Sequence, residues 1–187
     1  MKKFLILAAA TLALCACAGK QYTYEDLVFD YPSLYKVKMP TNDFNTYPDQ
    51  HLFFLEDVSG SSMDLLAIEI ITEEPGSLQE ADPDVLSEYL AEKAFEDLKD
   101  WALDDEDFTL TDKTASQEEV QVATNSQTGL LEAHAYAKGK WDEDDIFAEA
   151  YSTTFDGRYT ISMIAISHKE SYLNLLVDVY RSVHLKQ

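Results

Sequence analysis

Cysteine is nearly absent from this chain. Only Cys15 and Cys17 occur among the 187 residues. The sequence after residue 17 therefore has no disulfide, no cysteine-ligated zinc or iron–sulfur cluster and no cysteine nucleophile. Glycine is scarce too, with six residues, and no glycine-rich loop that could hold a phosphate is present. The stability of the fold must come from its core.

Basic residues are also few. Lysine and arginine number 14 against 35 acidic residues, giving a formal net charge of −21. Without Lys2 and Lys3 the remaining chain has 12 basic and 35 acidic residues, a net charge of −23. This balance argues against nucleic acid as a partner, because phosphates bind lysine and arginine. The negative net charge also argues against a domain lying flat on anionic lipid, which attracts basic residues. The alternative is that the charge serves only to keep the protein soluble.

The sequence begins with a short apolar stretch. Residues 4–14 follow two lysines and are apolar except for Thr11, too short for the roughly 20 residues of a transmembrane helix. The next segment, Leu14-Cys15-Ala16-Cys17, resembles the lipobox of bacterial lipoproteins, in which the cysteine is acylated. Cys17 fits best because the small Ala16 precedes it. We predict a signal peptide over residues 1–16 and lipidation at Cys17; the alternative is an ordinary secretory signal.

The lipobox resemblance implies a location in the bacterial cell envelope. Several acyl chains, at about 0.8 kcal/mol per buried CH₂, would hold the protein permanently in a membrane. Residue 18 is alanine rather than the aspartate that retains such proteins in the inner membrane, so the outer membrane is favoured over the inner. We expect residues 17–26 to form a lipidated tether and residues 27–187 a single domain.

Apolar runs predict a sheet with many strands. Tyr35, Val37 and Met39 alternate with lysines, and Met63–Thr72 is almost continuously apolar, which suits a strand covered on both faces. Further strands are predicted at residues 27–31, 51–58, 108–114, 119–124, 130–141, 146–155 and 158–167, with Asp156-Gly157 as a tight turn before the last.

Two helices are predicted. Asp82 as N-cap and Pro83 as first residue begin a helix that runs to about Leu103. A second helix spans residues 170–183, followed by a tail of residues 184–187. Small residues share one face of two neighbouring strands and aromatic residues the opposite face, so both faces need cover. The sequence predicts an α+β fold, a largely antiparallel sheet flanked by helices on both faces. The small residues are Ala133, Ala135, Ala137, Gly139, Ala148, Ala150 and Ser152.

Both ends of the predicted domain resemble PsbP-like domains. Val28-Phe29-Asp30-Tyr31-Pro32, followed by Tyr35-Lys36-Val37, is similar to the opening of that family. Asp156-Gly157-Arg158-Tyr159, a helix and Val179-Tyr180-Arg181-Ser182-Val183 are similar to its close. The resemblance would cover residues 22–187. It implies an α/β/α sandwich, shared with a Ran-binding nuclear import factor, in a family whose members mostly act as binding or assembly modules. It assigns no ion-binding residue here.

The sequence predicts no catalytic residue, no cofactor and no metal site. Ser59, Ser61 and Ser62 lie in a turn, and no G-x-S-x-G occurs. The acidic segments Asp104–Asp107 and Asp142–Asp145 lack the glycine and alternating spacing of a calcium loop, so we expect solvated loops. The histidines also lack metal-ligand spacing; they are His51, His134, His168 and His184.

Three functions remain open at this point. The favoured one is a lipid-anchored, non-catalytic binding or assembly module, whose partners are the membrane through the lipid and another envelope protein. The second is an acidic calcium-binding envelope protein, indicated by the charge. The third is an envelope hydrolase, which would use a pair of carboxylates.

Overall fold

The computed structural model describes residues 19–40, 49–58 and 64–186. Three α-helices and eleven strands are assigned within these ranges. The helices are α1 (Ser77–Glu80), α2 (Pro83–Leu98) and α3 (Glu170–Arg181). The strands are β1 (Lys20–Tyr24), β2 (Leu27–Tyr31), β3 (Tyr35–Lys38), β4 (Gln50–Asp57), β5 (Leu65–Thr72), β6 (Phe108–Lys113), β7 (Gln121–Thr124), β8 (Leu131–Trp141), β9 (Asp144–Phe155), β10 (Tyr159–Ser167) and β11 (His184–Leu185).

The strands form two sheets of unequal size. The larger has eight strands in the order β3-β4-β5-β10-β9-β8-β6, with β7 also paired to β8. The smaller has three, in the order β1-β2-β11. All pairs in the described part of the chain are antiparallel. The predicted α+β class with a largely antiparallel sheet is confirmed.

Helix α2 covers the small-residue face of the large sheet, as predicted. The Asp82 carboxylate caps the helix by accepting from the Asp84 N–H at 2.9 Å, and Pro83 is the first residue. The helix continues as a π-helical turn, Lys99–Leu103, so the predicted end near Leu103 is confirmed. Small side chains allow close approach: Ser152 Oγ lies 2.5 Å from the Leu90 carbonyl oxygen, to which it donates. The buried alanines beneath α2 are Ala133, Ala135, Ala137, Ala148 and Ala150.

Helix α3 and the small sheet cover the opposite face. Leu173, Leu176 and Tyr180 of α3 are buried there against the aromatic and branched side chains of the large sheet. Phe29 of the small sheet packs edge-on against Phe53 of β4, with ring centroids 5.4 Å apart. The large sheet is therefore covered on both faces, but on this side partly by strands instead of by helix alone.

The predicted tether needs correction. We expected residues 17–26 to form a lipidated tether outside the domain, yet Lys20–Tyr24 is strand β1, paired along its length with β2. The reason is aromatic burial: the Tyr22 ring lies 4.2 Å from Phe53 and the Tyr24 ring 3.9 Å from His51. The folded domain therefore begins near Lys20, not at residue 27.

The predicted tail and the predicted end of the last helix also differ from the structure. His184 and Leu185 form β11, which pairs with Val28 and Leu27, so α3 ends at Arg181 instead of residue 183. A strand partner requires the extended conformation, which stops the helix earlier. The turn at Asp156 and Gly157 is confirmed, with φ of 54° and 64°.

Candidate ligand-binding cavity

The predicted lipidation site lies outside the described residues. The same holds for the signal peptide of residues 1–16 and for Ser59, Ser61 and Ser62. Lipidation of Cys17 therefore remains a prediction.

The four histidines lie apart from one another in the fold. His51 stacks on Tyr24, and His134 stacks on Tyr151 with ring centroids 4.3 Å apart. Desolvation lowers the pKa of both histidines, which favours the neutral ring. Within residues 19–40, 49–58 and 64–186, no three His, Cys, Asp or Glu side chains are grouped in a way that could hold a metal ion.

A serine, an aspartate and a histidine meet at the end of β10, but not as a catalytic triad. Ser167 Oγ donates to Asp64 Oδ1 at 2.5 Å, and His168 Nδ1 lies 3.2 Å from the same oxygen. In a triad the histidine stands between the hydroxyl and the carboxylate. Here the aspartate occupies that place and Ser167 is fully buried. The arrangement joins the end of the strand to Asp64 and supplies no activated nucleophile.

The two acidic segments do not converge either. Asp144 and Asp145 belong to β9, so their side chains point to opposite faces of the sheet, and Asp145 lies 3.3 Å from Lys140 Nζ. The expected loop over Asp142–Asp145 is thus only a turn at positions 142 and 143. In the other segment the Asp105 carboxylate accepts from the Asp107 N–H at 2.9 Å, which orders a local turn.

A cavity of about 260 Å³ lies between the C-terminal end of α2 and the large sheet. Its sheet side is a cross-strand row in which Leu52 of β4 is opposite Glu69 of β5 and Glu69 is opposite Ser162 of β10. Its helix side is formed by the last turns of α2 and the π-helical turn, a type of helix distortion that is frequent at functional sites. The lining residues are Leu52, Ala67, Glu69, Lys93, Glu96, Asp97, Asp100, Trp101, Met163 and Ile164.

Asp97 is the most perturbed carboxyl group at this cavity. Desolvation raises its pKa to about 7, and the nearby negative charges of Glu69 and Asp100 act in the same direction. Lys93 opposes the rise. The Ser162 hydroxyl has no hydrogen-bond partner of good geometry among the described residues, but it lies close enough to favour the ionised form of Asp97. A carboxyl group that titrates near neutral pH inside a cavity is a candidate binding group.

One cationic side chain, that of Lys93, lies among the carboxyl groups of the cavity. Lys93 Nζ lies 4.0 Å from Glu69 Oε2 and 3.8 Å from Glu96 Oε2. The cavity therefore has four carboxyl groups against one ammonium group. An apolar wall completes it: Trp101 packs edge-on against Phe54 with ring centroids 5.9 Å apart, beside Leu52. The cavity thus combines negative charge with an apolar and aromatic surface.

Sequence analysis missed Asp97, although a signal for it exists. Leu90, Ala94, Leu98 and Trp101 form the apolar stripe of the helix, and Asp97 lies inside that stripe at i+3 from Ala94. An acidic residue on a core-facing stripe is unusual, since burial disfavours its charge. The sequence pattern does not show which residues of the sheet lie opposite Asp97.

Comparisons with known proteins give no family for this chain: no protein-family model matches it, and no curated protein matches it significantly. A crystal structure from Bacteroides thetaiotaomicron is 11% identical, with a TM-score of 0.49 over 90% of this chain and 49% of the other. This chain thus spans about half of that protein.

Two further solved structures are similar at lower scores. LpqN of Mycobacterium tuberculosis, described as involved in cell envelope biogenesis, is 8% identical with a TM-score of 0.39, covering 90% of this chain and 91% of its own. A Pseudomonas aeruginosa protein of unknown function, PA94, is 10% identical with a TM-score of 0.35, covering 87% and 91%. None of the three is described as PsbP-like. In the part of the chain that the structure describes, no helix is both long and apolar enough to cross a bilayer.

Proposed function

We propose that this chain is a lipid-anchored bacterial cell-envelope protein that acts as a non-catalytic binding module for a small organic cation. The observation that carries the proposal is the position of Asp97, a carboxyl group whose pKa is raised to about 7, at the cavity beside Trp101. The ligand's ammonium group pairs with Asp97 and its apolar part contacts the aromatic wall.

The size of the cavity limits the ligand. At about 260 Å³ it lies just below the roughly 300–1,000 Å³ of typical small-molecule sites. A single amine with a few carbons or one ring suits this volume. The hydrolase alternative needs two carboxyl groups flanking a bond of a larger substrate. Asp97 instead lies close to Ser162, and its partial burial desolvates the carboxyl group.

Charge favours a cation over an anion at this site. Glu69, Glu96 and Asp100 surround Asp97, and the whole chain has a net charge of −21. A cleft with one sign of charge raises the local concentration of ligands with the opposite sign. The face of an aromatic ring such as that of Trp101 also attracts ammonium groups. The same charge disfavours phosphates and nucleic acids.

The proposed location at a membrane depends on the acylation of Cys17. The apolar stretch and the small residue before the cysteine support acylation there. In its native host, Cys17→Ser should move the protein from the membrane fraction to the aqueous fraction, with Cys15→Ser as the matched control that leaves it in place. Equal membrane retention of wild type and Cys17→Ser would contradict the anchor.

The ligand proposal is tested by calorimetric titration of the purified full mature chain. The probes are benzylamine and its neutral counterpart benzyl alcohol, together with propylamine as a smaller cation. We expect the amines to bind with saturation and the alcohol not to bind. Asp97→Asn should weaken amine binding roughly 10- to 100-fold, the size of one charged hydrogen bond.

Two further variants make the calorimetric result specific. Glu92→Gln removes an exposed carboxylate from the same helix and should leave the affinity unchanged. Lys93→Met removes the cation that stands between Glu69 and Glu96, so it should tighten amine binding. Equal affinities for amine and alcohol, or an unchanged affinity in Asp97→Asn, would overturn the proposal.

A further inference from the structure

A second cavity, the β2–α3 groove, lies on the opposite side of the sheet from Asp97. It has a volume of about 460 Å³ and is bounded by the end of β2, the turn that follows it and one side of α3. The lining residues are Gly19, Asp30, Tyr31, Pro32, Ser33, Leu34, Leu175, Asp178, Val179 and Ser182.

The surface of this groove is largely apolar. Leu34 is 62% exposed at its edge, an unusually large exposure for a leucine, and Leu175 and Val179 of α3 form its wall. The Ser182 hydroxyl is already engaged, because it accepts from the Asp30 N–H at 2.8 Å and donates to the Val179 carbonyl at 2.6 Å. A hydrocarbon chain suits such a surface better than a polar ligand, since it needs no hydrogen bonds.

The position of the groove along the chain identifies the source of that hydrocarbon. Gly19 lines the groove, and Cys17 is two positions upstream of it. Two residues span at most about 7 Å, even when fully extended. An acyl group on Cys17 is therefore attached at a residue within that distance of Gly19.

We propose that the β2–α3 groove binds one acyl chain of the lipid attached to Cys17. This inference rests on the proposed lipidation of Cys17. With one chain held by the protein and the others in the bilayer, the groove keeps the domain close to the membrane. Because β1 begins three residues after Cys17, no long linker separates the groove from the anchor.

Photocrosslinking of the full lipoprotein in its host tests this inference. Cells are fed a fatty acid with a diazirine near its methyl end, irradiated, and the purified protein is digested and sequenced by mass spectrometry. We expect crosslinks from the Cys17 lipid to peptides that contain Leu34 or Leu175. Leu34→Asp, at an exposed position, should reduce these crosslinks several-fold, whereas Val85→Asp, at a 60% exposed position on α2, should not.

The outcomes separate this inference from the proposed function. A Cys17 peptide with acyl mass, but with crosslinks only to phospholipid, overturns the groove assignment and leaves the anchor intact. Groove crosslinks that come from phospholipid instead of the Cys17 lipid also overturn it, because the source is wrong. A Cys17 peptide without acyl mass overturns both. Circular dichroism of Leu34→Asp confirms that any loss of crosslinks comes from the groove and not from unfolding.

Discussion

The Tyr159 hydroxyl donates a hydrogen bond to Asp26 Oδ1 over 2.6 Å and lies 2.9 Å from Glu25 Oε2. Tyr159 begins β10 of the large sheet, and the two acids form the turn between β1 and β2 of the small sheet. Arg158 Nη2 reinforces the junction at 2.6 Å from Asp26 Oδ2. The two sheets are therefore joined at this turn, and the N-terminal strand is part of the folded domain.

Tyr159→Phe should destabilise the domain by about 1.5 kcal/mol, because a hydrogen bond from a mostly buried hydroxyl to a carboxylate is lost. Urea unfolding followed by circular dichroism measures the change. Tyr136→Phe is the matched control: its hydroxyl also donates to an aspartate, Asp112 at 3.2 Å, but at an exposed site. A loss of stability as large in the control as in Tyr159→Phe would show that the junction has no special role.

Ala135→Leu should destabilise the domain by about 1–3 kcal/mol, because overpacking of a tight interface displaces its neighbours. Ala135 is fully buried beneath α2, where Ser152 already lies within hydrogen-bonding distance of the helix backbone. Ala123→Leu, at an exposed position of β7, is the control and should change the free energy of unfolding little. If both variants unfold at the same urea concentration, the small residues on this face are not required for the close packing of α2 on the sheet.

Asp97→Asn should stabilise the domain at high pH and much less at low pH. The native pKa of Asp97 is raised from 3.8 to about 7, so between these values the native state holds a proton that the unfolded chain releases. The destabilisation caused by Asp97 is therefore absent below about pH 4, grows as the pH rises, and is complete above about pH 7. A shift of this size corresponds to a few kcal/mol.

Thermal unfolding at pH 4.5, 6 and 8 measures the effect of Asp97→Asn. The difference in Tm between variant and wild type should increase across this series and then stay constant. Glu92→Gln, an exposed acid on the same helix, should give a small difference at every pH. A difference in Tm for Asp97→Asn that is independent of pH would show that this carboxyl group titrates normally.

Most of the sheet could be predicted because the residue types in its strands follow the patterns typical of β-strands. The apolar run Met63–Thr72 and the alternating alanines of β8 indicate which side chains face the core. The structure confirms the strand over Leu65–Thr72, while Met63 lies outside the described residues, and it confirms β8 over Leu131–Trp141. Strand β1 has the same kind of signal in Tyr22 and Tyr24. Sequence analysis did not predict β1 because the turn after it requires a positive φ, 52°, at Glu25. A glutamate does not indicate such a turn.

The candidate sites could not be predicted to the same degree. Asp97 has a raised pKa mainly because the packing of its helix on the sheet desolvates the carboxyl group, and the charge of Glu69, far away in sequence, adds to the rise. The β2–α3 groove likewise depends on the pairing of β1 with β2, which places Gly19 beside α3. Local patterns predict faces of helices and strands, whereas cavities arise where distant segments meet.

The central claim is that a cation pairs with Asp97, and proton release during binding tests it most directly. At pH 6 a group with a pKa of about 7 is mostly protonated, so pairing with an ammonium group must drive off about one proton. Titration of benzylamine at pH 6 in two buffers of different ionisation enthalpy counts that proton. We predict a release of about one proton per amine for wild type, nearly none at pH 8.5, and none for Asp97→Asn. Binding without proton release at pH 6, or equal release in Asp97→Asn, would contradict the account.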